Sequence, residues 1–242
     1  MNGTAGAGDE RLRVAVVDYG AGNLVSVEQA LTAAGAAVML ARVPGDLAEA
    51  DALVVPGVGA AGPAMARLTR AGLTGPILEW IANRRPYLGI CLGLQLLFEG
   101  SEEDDAETLG VIPGRARRLA GAPTLPHTGW NQVVRVREHP LFDGIADGAD
   151  FYFVHSYAGE PEGGDQGWSL AATTHGGQFT SAVANENVVG VQFHPERSGV
   201  DGLRLLANFV AWASRPTESG LADSRLADWR LADSRLAAAG RG

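Results

Sequence analysis

Apolar runs separated by glycine-rich turns dominate the first hundred residues. The run RVAVV at 13–17 has the length and β-branched content of a buried strand, and the DYG that follows is typical of a turn. The segment 23–35 carries apolar residues at helical spacing and ends at a glycine, which predicts an amphipathic helix. Further strands are predicted at AVML, ALVVPG and YLGI, and LGLQLLFEG at 92–100 predicts a helix closed by its last glycine. Strands that alternate with helices indicate a parallel sheet covered on both faces.

The pattern changes after the acidic run EEDDAE at 102–107. Segments such as NQVVRVRE, DFYFVHSY and FTSAVANENVVGVQF alternate apolar and polar residues between turn residues, which predicts antiparallel strands and hairpins. The segment 200–213 predicts a closing amphipathic helix. The predicted fold is therefore α/β, with a mostly parallel central sheet flanked by helices and an added antiparallel portion.

The ends of the chain differ from this central region in composition. We expect one domain at 13–213, preceded by a disordered N-terminus at 1–12 and followed by a low-complexity tail at 214–242. The tail repeats LADSR and LADWR with a leucine every fifth residue. Because a helix has 3.6 residues per turn, these leucines form no apolar stripe, so we expect the tail to be disordered.

Composition excludes several classes of protein. The net charge of −9, from 28 acidic and 19 basic residues, argues against nonspecific binding to nucleic acid. No stretch approaches the roughly 20 apolar residues that cross a bilayer, and MNGTAGAGDE at the start lacks the basic and apolar segments of a secretory signal. A single cysteine cannot form an internal disulfide. We therefore expect a cytoplasmic protein that does not bind a membrane.

The one cysteine, Cys91, lies in GICLG at 89–93, where a predicted strand gives way to a predicted helix. This pattern matches the nucleophile elbow G-x-S-x-G with cysteine in place of serine. The glycines leave room for a sharp turn, and a helix beginning at Leu92 would direct its free N–H groups at the sulfur and stabilise a thiolate. The pattern alone also fits a buried structural cysteine.

A nucleophilic thiol needs a base, and the base needs a group that orients it. Of the five histidines, only His194, in VQFHPERS, has a carboxylate placed for this purpose. Pro195 favours extended geometry at the residue before it, and residues i and i+2 of an extended segment share a face, so His194 and Glu196 are expected to meet. The same residues with Cys91 could bind a metal, but one cysteine and no second clustered histidine argue against a metal site.

The turn VVPGVG at 54–59 is a candidate oxyanion hole. A glycine-rich turn at the end of a strand exposes backbone N–H groups, and the residue after the nucleophile supplies a second donor. An ordinary strand-to-helix connection would have the same composition. The candidate donors are Gly57, Val58, Gly59 and Leu92.

Taken in order, PGVG, GICLGLQ and HPE resemble the class I, or triad, glutamine amidotransferases. The resemblance covers about residues 13–213. Within that class, DYGAGNL, PGVG in place of PGG, PHTGWNQ and FYFVHSY resemble the glutaminase subunits of imidazole glycerol phosphate synthase. The chain departs from that pattern at Arg197, where lysine is common, and at Leu94 and Thr128, where methionine is common.

The resemblance implies a flavodoxin-like fold and a division of labour at the site. Cys91 would attack the side-chain amide of glutamine, His194 would pass a proton to the departing ammonia, and Glu196 would hold the imidazole. No cofactor is implied. The ammonia would pass to a (β/α)8 cyclase, a separate chain in a heterodimer, which makes imidazole glycerol phosphate and aminoimidazole carboxamide ribonucleotide in histidine biosynthesis. The residues implied to hold glutamine are Gln95, Ser156 and Tyr157.

Three residues are candidates for the face that meets the cyclase: Asn23, Trp130 and Arg197. Trp130 would fit a core position equally well. Two alternatives to this function stay open from the sequence. One is another class I amidotransferase subunit, acting in anthranilate, aminodeoxychorismate or pyridoxal phosphate synthesis. The other is a cysteine hydrolase of the same fold that needs no partner.

Overall fold

Short runs rich in β-branched residues form the strands. In the first half of the chain, helices connect successive strands. The computed structural model describes residues 11–162 and 167–215. The helices are α1 (Leu24–Ala33), α2 (Ala61–Arg70), α3 (Thr74–Ala82), α4 (Leu92–Gln95) and α5 (Gly199–Ala213). The strands are β1 (Arg13–Val17), β2 (Ala37–Ala41), β3 (Ala52–Gly57), β4 (Tyr87–Cys91), β5 (Phe98–Ser101), β6 (Ala106–Glu107), β7 (Ile112–Arg118), β8 (His127–Arg135), β9 (Ala149–His155), β10 (Tyr157–Pro161), β11 (Ser169–His175), β12 (Gly177–Asn185) and β13 (Val188–Val191).

The main sheet has nine strands in the order β2-β1-β3-β4-β13-β12-β11-β8-β9. Its first four pairings are parallel, and the remaining four are antiparallel. The predicted α/β class is therefore confirmed, and the antiparallel portion is as large as the parallel one. The parallel strands β3 and β4 bring the PGVG turn and the cysteine to the same edge of the sheet.

Two apolar layers cover the faces of the parallel strands. Alternate residues of β1 belong to different layers: Val14 and Val16 face α1 and α5, whereas Ala15 and Val17 face α2 and α3. This alternation follows from the period of two along a strand. It is the helix–sheet–helix arrangement that the sequence pattern predicted.

The segment after the cysteine differs from its prediction. We expected one helix from residue 92 to Gly100, but α4 ends at Gln95, and Phe98 begins β5 of a second, four-stranded sheet with the order β10-β7-β5-β6. Leu96, Leu97 and Phe98 are all fully buried, so an apolar run that fits a helix equally fits a strand. The packing of Phe98 into the second sheet decides in favour of a strand. Its ring lies so close to Gly159 of β10 that a Cβ at Gly159 would overlap it.

The predictions for residues 1–12 and 214–242 concern positions that, apart from residues 11–12 and 214–215, lie outside the described residues. None of the described helices combines the length and apolar character needed to cross a membrane.

Candidate active site

Cys91 lies at the junction between a strand and a helix. It is the last residue of β4 and directly precedes α4, with φ 53° and ψ −108°. A non-glycine residue rarely adopts a positive φ, and such strain is typical of a nucleophile elbow. The thiol is buried and forms no disulfide.

The glycines on either side of Cys91 are required by close backbone packing. A Cβ at Gly89 would lie 2.6 Å from the carbonyl oxygen of Gly93, and a Cβ at Gly93 would overlap the carbonyl oxygen of Val55 in β3. Real Cβ atoms do not approach backbone atoms below 3.0 Å. The elbow therefore needs glycine at both positions, as the steric argument from the sequence predicted.

His194 and Glu196 form a buried pair. Nδ1 of His194 lies 2.8 Å from Oε1 of Glu196, and their side chains are 6% and 2% exposed. The main chain of His194 is held by β9, because its N–H donates to the carbonyl of Tyr152 at 2.9 Å and its carbonyl accepts from the Ser198 hydroxyl at 2.6 Å. The sequence-predicted contact between the two side chains is present.

The backbone that brings this pair together is not the one we expected. We expected a continuous extended segment, but only His194 is extended, and Pro195–Arg197 form a 3-10 turn. Pro195 occupies the first position of that turn, where its missing N–H costs nothing. The turn brings the carboxylate back to the imidazole.

The electrostatics of His194 favour its charged form. Burial alone lowers the pKa of His194, but its interactions with Cys91 and Glu196 outweigh burial and raise the pKa to about 10. Nε2 of His194 is buried without a hydrogen-bond partner among the described residues, and Cys91 is the strongest of the influences that raise its pKa. Catalytic hydrogen bonds in unliganded active sites are often poorly aligned and tighten when substrate binds. An imidazolium beside a thiol favours the thiolate, which is the nucleophilic form.

The PGVG turn lies beside the cysteine. Gly57 at the end of β3 is the register partner of Cys91, and a Cβ at Gly57 would overlap the hydroxyl oxygen of Tyr19 and lie 3.0 Å from Cβ of Leu92. Tyr19 is buried and its hydroxyl donates to the carbonyl of Pro56 at 3.0 Å. Gly57 and Leu92 thus lie beside Cys91, and Val58 and Gly59 follow Gly57 along the chain.

These four residues differ in exposure and conformation. Val58 is 45% exposed, Leu92 is buried, and Gly59 has φ 92°. Helix α4 has a single turn, so the helix dipole contributes less than we expected to stabilisation of a thiolate. His194 and the local N–H groups are left as the main electrostatic influences on the sulfur.

A chain of amides links Cys91 to the residues implied to hold glutamine. Gln95 is buried, and its Nε2 donates to the carbonyl of Tyr157 at 2.8 Å and to Oε1 of Gln192 at 3.0 Å. Nε2 of Gln192 in turn donates to Sγ of Cys91 at 3.5 Å. Ser156 is half-buried, and its carbonyl accepts from the N–H of Leu119 at 3.0 Å.

Sequence reasoning missed Gln192. The available signal was its position two residues before His194, which places a polar side chain on the same face of an otherwise apolar strand end.

The three candidates for a partner face, Asn23, Trp130 and Arg197, are all exposed. Trp130 is 58% exposed, so the core alternative is wrong. Cζ of Arg197 lies 4.1 Å above the ring of Tyr152, and Tyr152 contacts Trp130 edge to face at 6.1 Å between ring centroids. Tyr152, which sequence reasoning missed, thus joins two of the three candidates. Nδ2 of Asn23 donates to the Ser26 hydroxyl at 2.7 Å.

The metal alternative gains no support from the geometry. Within residues 11–162 and 167–215, no three histidine, cysteine or acidic side chains are grouped closely enough to hold a metal ion.

Comparison with known proteins gives a consistent family. A model of the family "Glutamine amidotransferase class-I" matches residues 15–212. The chain is 47% identical over 201 residues to "Imidazole glycerol phosphate synthase subunit HisH" of Microcystis aeruginosa, covering 81% of this chain and 94% of the relative. It is 44% identical over 223 residues to the subunit of the same name from Halobacterium salinarum, covering 87% and 98%.

Solved structures agree on the fold. "Structure of PurLQS from Thermotoga maritima" superposes with a TM-score of 0.67 at 19% identity, over 84% of this chain and 99% of that chain. A "Crystal structure of glutamine amidotransferase" gives a TM-score of 0.65 at 20% identity, over 84% and 99%. The chain therefore belongs to the class I glutamine amidotransferases and, among them, to the family of HisH subunits of imidazole glycerol phosphate synthase.

Proposed function

We propose that this chain hydrolyses glutamine to glutamate and ammonia through Cys91, His194 and Glu196, and delivers the ammonia to a (β/α)8 cyclase. The observation that carries the proposal is the placement of the only cysteine. Cys91 is held at a left-handed φ beside a buried His194–Glu196 pair whose atoms are 2.8 Å apart. A structural cysteine needs neither the strained backbone nor a charged histidine next to it.

The first half of the reaction forms a thioester. Sγ of Cys91 attacks the side-chain amide carbon of glutamine, and the carbonyl oxygen takes up negative charge. In this proposal the N–H of Leu92 and, once the Gly57–Val58 peptide has rotated, an N–H of the PGVG turn stabilise that oxyanion. His194 gives its proton to the nitrogen as the C–N bond breaks, and ammonia leaves. Glu196 keeps the imidazole in the orientation that this transfer requires.

The second half releases glutamate. His194, now neutral, takes a proton from a water molecule as the water attacks the thioester carbon. The C–S bond breaks, the sulfur of Cys91 leaves as a thiolate and His194 is charged again, so water is the only co-reactant and no cofactor is required. Gln95, Ser156 and Tyr157 hold the glutamine through both halves, with Gln95 fixed by the Tyr157 carbonyl.

The partner surface in this proposal lies next to the catalytic pair. Arg197 directly follows Glu196, and its stacking on Tyr152 continues to the exposed Trp130. Exposed aromatic and arginine side chains are enriched at the centres of protein interfaces. Val58 of the oxyanion turn is also exposed. Asn23 directly precedes α1, in the DYGAGNL segment that follows β1. We propose that the cyclase is a separate chain, because the relatives that this chain covers to 94% and 98% of their length are named as a subunit of the synthase.

The relatives' printed names, imidazole glycerol phosphate synthase subunit HisH, support this class of partner. Together with the cyclase, the product pair would be imidazole glycerol phosphate and aminoimidazole carboxamide ribonucleotide, in histidine biosynthesis. We place this reaction in the cytoplasm, and cell fractionation followed by immunodetection of the chain tests that location.

The test of the proposal is glutamate release from glutamine by the purified chain, alone and with a (β/α)8 cyclase of the same pathway. We expect little release alone and a large increase in the complex in the presence of the cyclase ligand. Hydrolysis that the cyclase leaves unchanged would favour a partner-free hydrolase. No hydrolysis under either condition would overturn the glutaminase assignment.

A further inference from the structure

A buried row of hydrogen bonds connects the antiparallel part of the main sheet to the candidate glutamine site. Nδ2 of Asn131 lies 3.1 Å from Nε2 of His127, and Nδ1 of His127 lies 3.1 Å from Nε2 of His155. Nδ1 of His155 lies 2.9 Å from the carbonyl oxygen of Tyr157. His127 and His155 are 4% and 6% exposed. None of these three side chains is used in the mechanism above.

The two ends of the row determine the position of every proton in it. The Tyr157 carbonyl can only accept, so His155 must carry its proton on Nδ1 and accept at Nε2. His127 must then donate from Nδ1 and accept at Nε2 from the Asn131 amide.

The orientation of the Asn131 amide is also determined. Its Oδ1 accepts from the N–H of Gln132 at 2.8 Å, and its Nδ2 donates to the carbonyl of Thr174 at 2.9 Å. Each bond therefore runs in one direction, from Asn131 to Tyr157, with both histidines neutral.

The environment of the histidines agrees with the neutral state. Burial lowers the pKa of His127 to about 4 and that of His155 to about 3. Aromatic rings pack around them: Phe153 stacks on His127 at 4.8 Å, and Phe179 meets His155 edge to face at 5.0 Å. At neutral pH the row is thus fully formed.

The row ends at the corner between the two sheets. His155 is the last residue of β9 in the main sheet, Tyr157 is the first residue of β10 in the second sheet, and Ser156 alone separates them. The bond from His155 to the Tyr157 carbonyl therefore closes this corner. The same carbonyl accepts from Gln95, which connects through Gln192 to the sulfur of Cys91.

We propose that His155, oriented by His127 and Asn131, is a positioning residue that sets the affinity for glutamine by holding the Ser156–Tyr157 corner and the Gln95 amide in place. This inference rests on the glutaminase function proposed above. Among the described residues, His155 has no hydrogen bond to Cys91, His194 or Glu196, although the charge of His194 contributes to its lowered pKa. We therefore expect it to act on binding rather than on bond making.

The test compares two substitutions at one position. In His155→Asn, the amide can occupy the place of Nδ1 and still donate to the Tyr157 carbonyl. In His155→Leu, that donor is lost. Loss of a buried hydrogen bond costs about 1–3 kcal/mol, and 1.4 kcal/mol corresponds to tenfold in a binding constant. In the complex with the cyclase, we expect His155→Leu to raise KM for glutamine about tenfold with a much smaller change in kcat. We expect His155→Asn to stay within about threefold of wild type.

Two further measurements keep the result interpretable. Binding of glutamine measured calorimetrically in a Cys91→Ser background, with and without His155→Leu, should show the same tenfold loss without turnover. His139→Phe is the matched control, since His139 is another partly buried histidine, bonded locally to the N–H of Leu141 and packed near Trp212. It should leave KM for glutamine unchanged.

Three outcomes would overturn the proposal. They are a folded His155→Leu variant with the KM of wild type, a His155→Asn variant as impaired as His155→Leu, and an equal rise in KM for His139→Phe. If His155→Leu does not fold, Asn131→Ala at the outer end of the row replaces it, with an expected rise of about threefold; an unchanged KM would then overturn the proposal. Absence of glutaminase activity in the wild-type complex would instead refute the proposed function.

Discussion

The steric argument at the elbow can be tested by adding a single methyl group to Gly89. A Cβ there would lie 2.6 Å from the carbonyl oxygen of Gly93, 2.7 Å from its carbonyl carbon and 2.8 Å from the nitrogen of Leu94. Ordinary contacts begin at 3.4 Å, so α4 must move away from β4 by about 0.8 Å. These are backbone atoms, and no side chain can rotate to relieve the overlap.

The displaced turn carries the N–H of Leu92, a candidate oxyanion donor. A misplacement of about 1 Å can cost roughly a hundredfold in rate, so we expect Gly89→Ala to lower kcat of the glutaminase between about tenfold and a hundredfold. Overpacking should also lower the free energy of unfolding by about 1–3 kcal/mol.

The assay combines thermal unfolding with glutamate release by the complex, and Gly75→Ala in α3 is the matched control. A Cβ at Gly75 meets no atom within 4 Å, so this variant should gain about 0.4–1 kcal/mol in stability and keep its activity. Synthesis from added ammonium by the Gly89→Ala complex should be unchanged. A Gly89→Ala protein with wild-type stability and kcat would refute the reasoning.

Three further predictions follow from the site and the buried histidines. Val58→Gly should raise glutamate release by the isolated chain, because a β-branched residue resists the rotation of the Gly57–Val58 peptide that would complete the oxyanion hole. One such N–H donor is worth about a hundred- to thousandfold in rate. A folded variant as inactive as wild type would contradict this prediction. Arg197→Ala should weaken assembly with the cyclase by about 1–3 kcal/mol in a titration, since we expect its guanidinium, held on Tyr152, to pair with a carboxylate of the cyclase that assembly buries. Unchanged affinity would remove Arg197 from the interface. Stability should be greatest near pH 6.5. Below that pH, three buried histidines stay neutral in the folded chain but bind protons in the unfolded chain, because their pKa values are lowered to about 4 (His127), 3 (His155) and 4 (His139). Each such proton lowers the free energy of unfolding by about 1.4 kcal/mol for every pH unit of acidification. Above that pH, His194 keeps its proton in the folded chain up to about pH 10 while the unfolded chain releases it, so the free energy of unfolding falls as the pH rises. A melting temperature that does not change between pH 7 and 5 would contradict the assignment of neutral histidines.

The parts of the site that the sequence predicted are those determined by local chemistry. The backbone is restricted over a few positions by the glycines around Cys91 and by the proline after His194. The carboxylate that meets the imidazole lies only two residues beyond it. Such restrictions can be read without knowledge of the fold, and the structure has the expected neighbours. The backbone details differed where packing had a choice, as at Leu96–Phe98, whose buried apolar run enters a strand of the second sheet rather than extending α4.

The missed residues depend on contacts between distant parts of the chain. Gln192 lies 101 residues from Cys91, and Tyr19 lies 37 residues from Pro56, whose carbonyl it binds. The bond between His127 and His155 requires the pairing of β8 with β9. Periodicity predicts that strands exist but does not predict which strands pair, so these contacts could not be predicted from one sequence.

The relatives favour one of the alternatives that the residues left open. Triad motifs alone do not distinguish a HisH subunit from other class I subunits, because the chemistry at the sulfur is shared. Identity of 44–47% to subunits named HisH over more than 80% of the chain favours that family.

Cys91 is proposed to release from glutamine the ammonia that a separate cyclase consumes. Cys91→Ser removes the thiolate but leaves the fold and the partner surface, so the direct measurement is synthesis of imidazole glycerol phosphate by the reconstituted Cys91→Ser complex, with glutamine or with an ammonium salt as the nitrogen source. We predict that synthesis from glutamine is lost and that synthesis from ammonium equals that of wild type. Full synthesis from glutamine, or loss of synthesis from both sources in a properly assembled complex, would contradict the account.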